Sequence, residues 1–260
     1  MKKSISELWI YRELLVALTL REIRVRYKQT FLGATWAILQ PAALTIIFTL
    51  IFGLILKVNS GTVPYPIFAY SALLPWTFFS TAVTFGSMSV VNNSGLVTKV
   101  YFPRAILPLS AVGAAFFDFI MASIVIIPLF VIFKIVPTVM IIYLLVLIPS
   151  LLIFTIGVVM FLSAINVLFR DIKFVIPLLL QVWFYLTPII YSQNQIPQKY
   201  QIYFLLNPLT AQIESFRKIL VLGEAPNTMH ILYSVLFSLV IFIAGYSFFR
   251  IKERVFADVI

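Results

Sequence analysis

Apolar side chains run along this chain in long stretches separated by short polar connections. Six of these runs approach or exceed the roughly 20 helical residues needed to cross a hydrocarbon core of about 30 Å. They fall near residues 34–56, 67–91, 106–133, 139–165, 175–190 and 231–249. The fifth is short and carries Pro177 and Pro188, which predicts a kinked or incomplete span, because proline removes a backbone donor and crowds the preceding turn. Ahead of the first run, from Ser4 to about Lys28, the pattern changes. Ile5, Leu8, Trp9, Leu15, Leu18 and Ile23 share one helical stripe, with Arg12, Glu13, Arg21, Glu22, Arg24 and Arg26 among the rest. That periodicity predicts an amphipathic helix lying in the membrane surface, its basic groups toward anionic headgroups.

Lys and Arg divide unevenly between alternate connections. The N-terminal segment, the stretch around Lys99 and Arg104, that around Arg170 and Lys173, and the C-terminus together carry 14; the other side carries Lys57, Lys134, Lys199, Arg217 and Lys218. Basic residues gather on the cytosolic side of spanning helices, so both termini are expected in the cytosol and the number of spans is even. Between the fifth and sixth runs, residues 192–228 are only moderately apolar and are broken by Pro197, Pro208, Gly223 and Pro226. Two short helices dipping back into the outer leaflet fit this segment, since helices satisfy their own backbone groups at that depth. A surface loop with one amphipathic helix is the alternative. The domain reading is a cytosolic interface helix over 1–30 and a six-helix transmembrane domain over 31–260, with an outer re-entrant segment at 192–228.

Composition strengthens the membrane reading and narrows the chemistry. Of 260 residues, 62% are hydrophobic and 11% charged, against roughly 45–50% and about 25% in an average soluble domain. Cysteine is absent, which excludes disulfides, thiolate metal sites and cysteine nucleophiles. The net charge of +10 comes from basic residues at the ends of apolar runs, not from one patch, so no nucleic-acid partner is expected. None of the nine glycines precedes a lysine, so the chain has no phosphate loop of the Gly-Lys type. Its one histidine, His230, stands alone at the predicted outer end of the last span, with no hydrolytic triad around it. The first thirty residues hold seven Lys/Arg and three Glu with no cleavable apolar core, so no signal peptide is expected. No metal site and no catalytic residue is expected in this chain.

Few polar residues remain to carry mechanism. Asp118 is the only charged residue near the middle of a span, where an ionisable group faces protein or water. It reads either as a polar point on a substrate path or helix interface, or as a neutral acid bonded to a neighbouring Ser, Thr or Asn. Ala82 with Gly86, and Ser110, Ala111, Ala114 and Ala115, form small faces that let helix backbones approach, within one subunit or between two. In the cytosolic connection 92–104, Tyr101 and Phe102 have no evident buried partner and are flanked by Lys99 and Arg104. They read as an exposed pair for a cytosolic partner's groove, or as rings resting on the bilayer interface. In the connection 166–173, Arg170 and Asp171 could cap helices or join an ion-pair network.

Over about residues 8–250 the chain resembles the permease subunits of ABC-2 type polysaccharide exporters, which move O-antigen, teichoic acid and capsule precursors across bacterial inner membranes. The resemblance lies in Arg24-x-Arg26-Tyr27-Lys28 followed by Leu32-Gly33-x-x-Trp36-x-x-Leu39-x-Pro41, in Pro75-Trp76-x-Phe78-Phe79, and in Lys99-Val100-x-Phe102-Pro103. It continues in Asn166-x-x-Phe169-Arg170-Asp171 and in Thr187-Pro188-Ile189-x-Tyr191 with Asn207-Pro208. It implies an all-α membrane protein of six transmembrane helices with an N-terminal interface helix and outer re-entrant helices, the ABC-2 (type V) exporter architecture. It also implies a homodimer joined to two copies of a cytosolic ABC ATPase, which would bind the ATP and Mg, and a lipid-linked glycan, most simply O-antigen, as substrate. Trp76, Phe78, Phe79, Asp118, Trp183, Phe184 and Tyr185 are implied to line the path, because sugars stack on aromatic faces. Lys99, Tyr101, Phe102 and Arg104 are implied to couple to the ATPase, and Arg24, Arg26, Tyr27, Arg170 and Asp171 to form a cytosolic gate or interface. An ABC-2 permease for drugs or other lipids, an ion-coupled secondary transporter using Asp118, and a membrane scaffold are the competing readings.

Overall fold

The computed structural model describes residues 7, 9–61 and 63–259, and every regular element among them is helical. Helix α1 (Arg12–Tyr27) leads through a 3-10 turn (Gly33–Thr35) into α2 (Trp36–Phe48), which widens into a π turn (Thr49–Ile55). The long α3 (Tyr65–Asn92) is followed by the short α4 (Ser94–Lys99), then α5 (Ile106–Ser123) and α6 (Ile126–Phe133). A 3-10 turn (Val139–Tyr143) opens α7 (Leu144–Leu168), and α8 (Ile172–Leu186) comes next. Two outer helices, α9 (Gln198–Leu206) and α10 (Pro208–Arg217), precede a π turn (Lys218–Leu222) closed by Gly223 at φ 64°, a left-handed conformation that favours glycine. The chain ends with α11 (Thr228–Lys252) and α12 (Phe256–Val259).

Five segments are long and apolar enough to cross a membrane: Gly33–Ile55, Tyr65–Asn92, Ile106–Phe133, Val139–Leu168 and Thr228–Val255. They lie within a few residues of the runs expected from the sequence, except that the last is extended at both ends. The run expected at 175–190 is instead the 15-residue α8, which starts and stops earlier. Its end has a local cause. Thr187 precedes Pro188 and is extended (φ −107°, ψ 134°), as the proline ring requires of the residue before it.

Helix α3 is the centre of the fold. In its most apolar stretch 78% of residues are buried, against 11–28% in the other four spans, so those four present apolar faces outward. Apolar surface on that scale is not stable against water and needs lipid or another chain. Helices α7 and α11 pack with their backbones in contact. A Cβ on Gly245 would land on the carbonyl of Gly157, and one on Gly157 would come within 2.7 Å of the Ile241–Phe242 backbone. Gly86 faces Val159, and Ala82, Ser110, Ala111, Ala114 and Ala115 are buried, so the small faces seen in the sequence close up inside the chain.

Helix α1 runs alongside α5. Its Thr19 meets Gly113, its Arg21 donates to Asn93 at the end of α3 (2.6 Å), and Leu18 is buried with Ile106 and Val97. Of the expected apolar stripe, Leu15 and Ile23 are half-buried and Trp9 is exposed, while Ile5 and Leu8 lie outside the described residues.

Candidate functional site

A cavity of about 630 Å³ opens between the end of α1, α2, α3, α5 and α8. Helical periodicity supplies its walls. Helix α2 turns Trp36, Gln40, Leu44 and Phe48 toward it; α3 contributes Trp76, Thr77, Ser80, Thr81 and Phe85; α8 contributes Leu180, Gln181, Phe184 and Tyr185. The rings touch one another: Trp76 and Phe184 lie 5.5 Å apart, Phe48 and Phe184 5.9 Å, and Phe78 and Phe119 5.6 Å, mostly at edge or tilted angles that favour aromatic pairs. Hydroxyl and amide groups stand between them.

The charged corner of this cavity joins α1 to α5. Asp118 accepts from the Arg26 guanidinium and from the Tyr27 hydroxyl, and Arg26 also lies over the Phe85 ring at 4.3 Å. Burial pushes the Tyr27 phenol above its usual value, and its bond to the Asp118 carboxylate acts the same way, so Tyr27 remains a donor through the physiological range. The partners of Asp118 are therefore these two residues of the N-terminal helix, and not a Ser, Thr or Asn.

Of the residues expected along the path, Trp76, Phe78, Asp118, Phe184 and Tyr185 meet at the cavity. Two do not. Phe79 is sealed in the core against Phe154 and Trp183, and Trp183 turns to the other side of α8, where its Nε1 donates to Asn207 at 2.9 Å. Phe79 is thus a core position, and Trp183 lies outside this cavity, beside Asn207 and along an apolar groove of about 650 Å³ between α7, α8 and α11. Arg26 and Tyr27, expected at a gate, do reach the cavity, whereas Arg24 is exposed on the far side of α1. Arg170 and Asp171 are exposed at the turn before α8. Among the described residues neither forms an ion pair, and Asp171 begins α8 without a side-chain capping bond.

The connection 92–104 also differs from its sequence reading. Its helix is α4, which ends at Lys99, and Tyr101, Phe102 and Arg104 follow it in the turn before α5. Tyr101 is 94% exposed, but Phe102 is only 7% exposed, buried with Val97, Phe249 and Phe256. The expected exposed pair is thus one exposed ring and one core ring. Arg104 donates to the Glu253 carbonyl, Arg250 bonds Glu253 at 2.7 Å, and the same Arg250 reaches Glu7 at 3.3 Å. Both ends of the chain and this connection form one corner.

Sequence reasoning missed a second polar cluster at the end of α8. Arg217 is 4% exposed, pairs with Glu214 at 2.6 Å, and donates to the carbonyls of Pro188 and Ile189. Its signal in the sequence is a charge inside an otherwise apolar stretch, which the pattern alone does not distinguish from a loop charge. Among the described residues no group of three His, Cys, Asp or Glu gathers to hold a metal.

Five helices long and apolar enough to span a bilayer, together with an aromatic and hydroxyl-lined cavity, are the build of a multi-pass membrane protein. Residues 13–221 match the family described as ABC-2 type transporter, and the chain belongs to that family. It is 31% identical over 260 residues to the O-antigen export system permease protein RfbA of Myxococcus xanthus, covering 99% of each chain. It is 30% identical over 249 residues to the Klebsiella pneumoniae protein of the same name, covering 95% of each. The polysialic acid transport protein KpsM of Escherichia coli is 27% identical over 246 residues, which are 92% of this chain and 93% of that one.

Proposed function

We propose that this chain is the permease subunit of an ATP-driven exporter that moves a lipid-linked polysaccharide, O-antigen in the first instance, across the bacterial inner membrane. The observation that carries this reading is the cavity of about 630 Å³, where aromatic faces alternate with hydroxyl and amide groups. Sugars need both: apolar contact on their C–H faces and hydrogen bonds at their edges. Near full-length similarity to permeases named for O-antigen and polysialic acid agrees with it. A hydrophobic drug or free lipid would be matched by a purely apolar lining, so the polar wall groups favour the glycan.

In this reading α8 is the short fifth of six spans, α9 and α10 are re-entrant on the outer side, and both termini face the cytosol. Two copies form a dimer and bring their cavities together along one seam. Two ABC ATPase subunits, holding ATP and Mg, dock on the cytosolic face. Tyr101, fully displayed beside Lys99, is the group offered to them, and Phe102 and Arg104 transmit the push into α11 through Phe249 and Glu253. ATP binding draws the ATPases together, and the rigid-body shift opens the seam. The latch from Arg26 and Tyr27 to Asp118 closes the inner mouth of the cavity between cycles.

Deleting the coding sequence in its native host and measuring surface polysaccharide tests this directly. The expected result is intracellular accumulation of the glycan, reversed by the wild-type chain and not by a Trp76→Ala, Phe184→Ala double variant that inserts normally. Normal surface polysaccharide in the deletion strain contradicts the proposal.

A further inference from the structure

The outer end of α8 is held by side chains from elsewhere in the fold. Beyond Leu186 the chain turns through residues 187–191, and three consecutive carbonyls of this turn each accept a side-chain donor. Arg217 of α10 donates to Pro188 at 2.9 Å and to Ile189 at 3.0 Å; the Tyr65 hydroxyl of α3 donates to Ile190 at 2.8 Å. Thr187 donates back to the Trp183 carbonyl and accepts from Asn207 at 2.9 Å. Arg217 itself is held by Glu214 at 2.6 Å and by the Phe68 ring, 3.8 Å beneath it, while its Nε has no acceptor among the described residues. With its charge paired to Glu214 and both terminal nitrogens bonded, the buried guanidinium is held in one strongly preferred orientation.

The rest of α8 is held loosely. Only Ile176 and Leu180 are buried within the protomer, and Phe174 near its start is 71% exposed. The cavity of about 630 Å³ lies along one face of α8, and an apolar groove of about 650 Å³, shared with α7 and α11, lies along another. The helix therefore has one anchored end and room on two sides along its length.

From this contrast we infer that Arg217 is a positioning residue for transport: it fixes the outer end of α8 as a pivot about which the inner end swings, changing the cavity's width while the 187–191 turn stays closed. A 15-residue helix is roughly 22 Å long, so a swing of about 10° carries its inner end about 4 Å. Tyr65 shares the task by holding the next carbonyl. The inference rests on the cavity reading only in that α8 forms one cavity wall.

The absence of native cysteine makes the test clean. In the transporter assembled with its ATPase, spin labels are placed on a Phe161→Cys, Phe174→Cys pair near the inner end and on a Leu186→Cys, Leu206→Cys pair at the outer end. Dipolar distances are compared without nucleotide and with trapped ATP. The expected result is a change of about 4 Å for the inner pair and none for the outer pair. Tyr65→Phe, which removes only a hydroxyl, should broaden the outer distribution and slow export about fivefold, the shift expected for one lost buried hydrogen bond. Arg217→Lys should fall between wild type and Arg217→Met. Equal movement of both pairs, movement of neither, or a Tyr65→Phe protein with a wild-type outer distribution and export rate would overturn the pivot. Normal export by the Trp76→Ala, Phe184→Ala variant would instead count against the cavity, whatever the labels report.

Discussion

The bond from Arg26 and Tyr27 to Asp118 is the one ion pair between the N-terminal helix and the cavity wall among the described residues, and its strength can be worked out. The side chains of Arg26 and Asp118 are 15% and 17% exposed. Removing one partner of a fully buried pair costs about 3–5 kcal/mol, and exposed pairs contribute about 0–1 kcal/mol, so this mostly buried pair should couple by about 2 kcal/mol. Asp118→Asn leaves the guanidinium beside an amide, and Arg26→Gln leaves the carboxylate with Tyr27 alone. Each single variant should lower the thermal midpoint of the detergent-solubilised protein by about 4–8 °C, using about 2–4 °C per kcal/mol for a chain of this size. The double variant places two amides together and removes the charge problem, so it should lose less than the two singles combined. The assay is a double-mutant cycle on thermal midpoint, with export measured in parallel. Strictly additive losses, a coupling below about 0.5 kcal/mol, would refute the reasoning, because the two residues would then not act on each other.

Further expectations concern neighbouring features. Phe102→Ala should destabilise the protein by about 3 kcal/mol, as expected for emptying a buried ring site, whereas Tyr101→Ala should change stability by less than about 0.5 kcal/mol and weaken co-purification of the ATPase. Equal thermal midpoints for the two variants would contradict the burial difference. Gly245→Ala should cost about 3 kcal/mol, at the upper end for overpacking, because its methyl meets the Gly157 backbone carbonyl, which has no rotamer to escape into. Gly95→Ala, where nothing lies within 4 Å, is the control and should be close to neutral in the same thermal assay.

The spans were legible in the sequence because a long apolar helix advertises itself locally, residue after residue. The charged corner was only half legible. Asp118 stood out as a lone acid in a span, but its partners lie 92 and 91 positions away, and no local periodicity reports a contact of that range. Phe102 was read as exposed because its true neighbours, Phe249 and Phe256, come from the far end of the chain. Arg217 was counted among outer-loop charges since sequence pattern registers a charge and not the Glu214, Phe68 and carbonyl oxygens that enclose it. Gly157 and Gly245 drew no notice, each being one small residue in an apolar run until the two helices are brought together.

In the proposed function this polypeptide is a membrane-embedded conduit driven by a separate nucleotide-hydrolysing subunit. Reconstituting the purified chain with its ATPase in proteoliposomes and following a labelled lipid-linked glycan across the bilayer measures that claim. Translocation that starts on adding ATP and stops when the ATPase is omitted is the predicted result; translocation that proceeds without the ATPase, or none in the complete system, contradicts it.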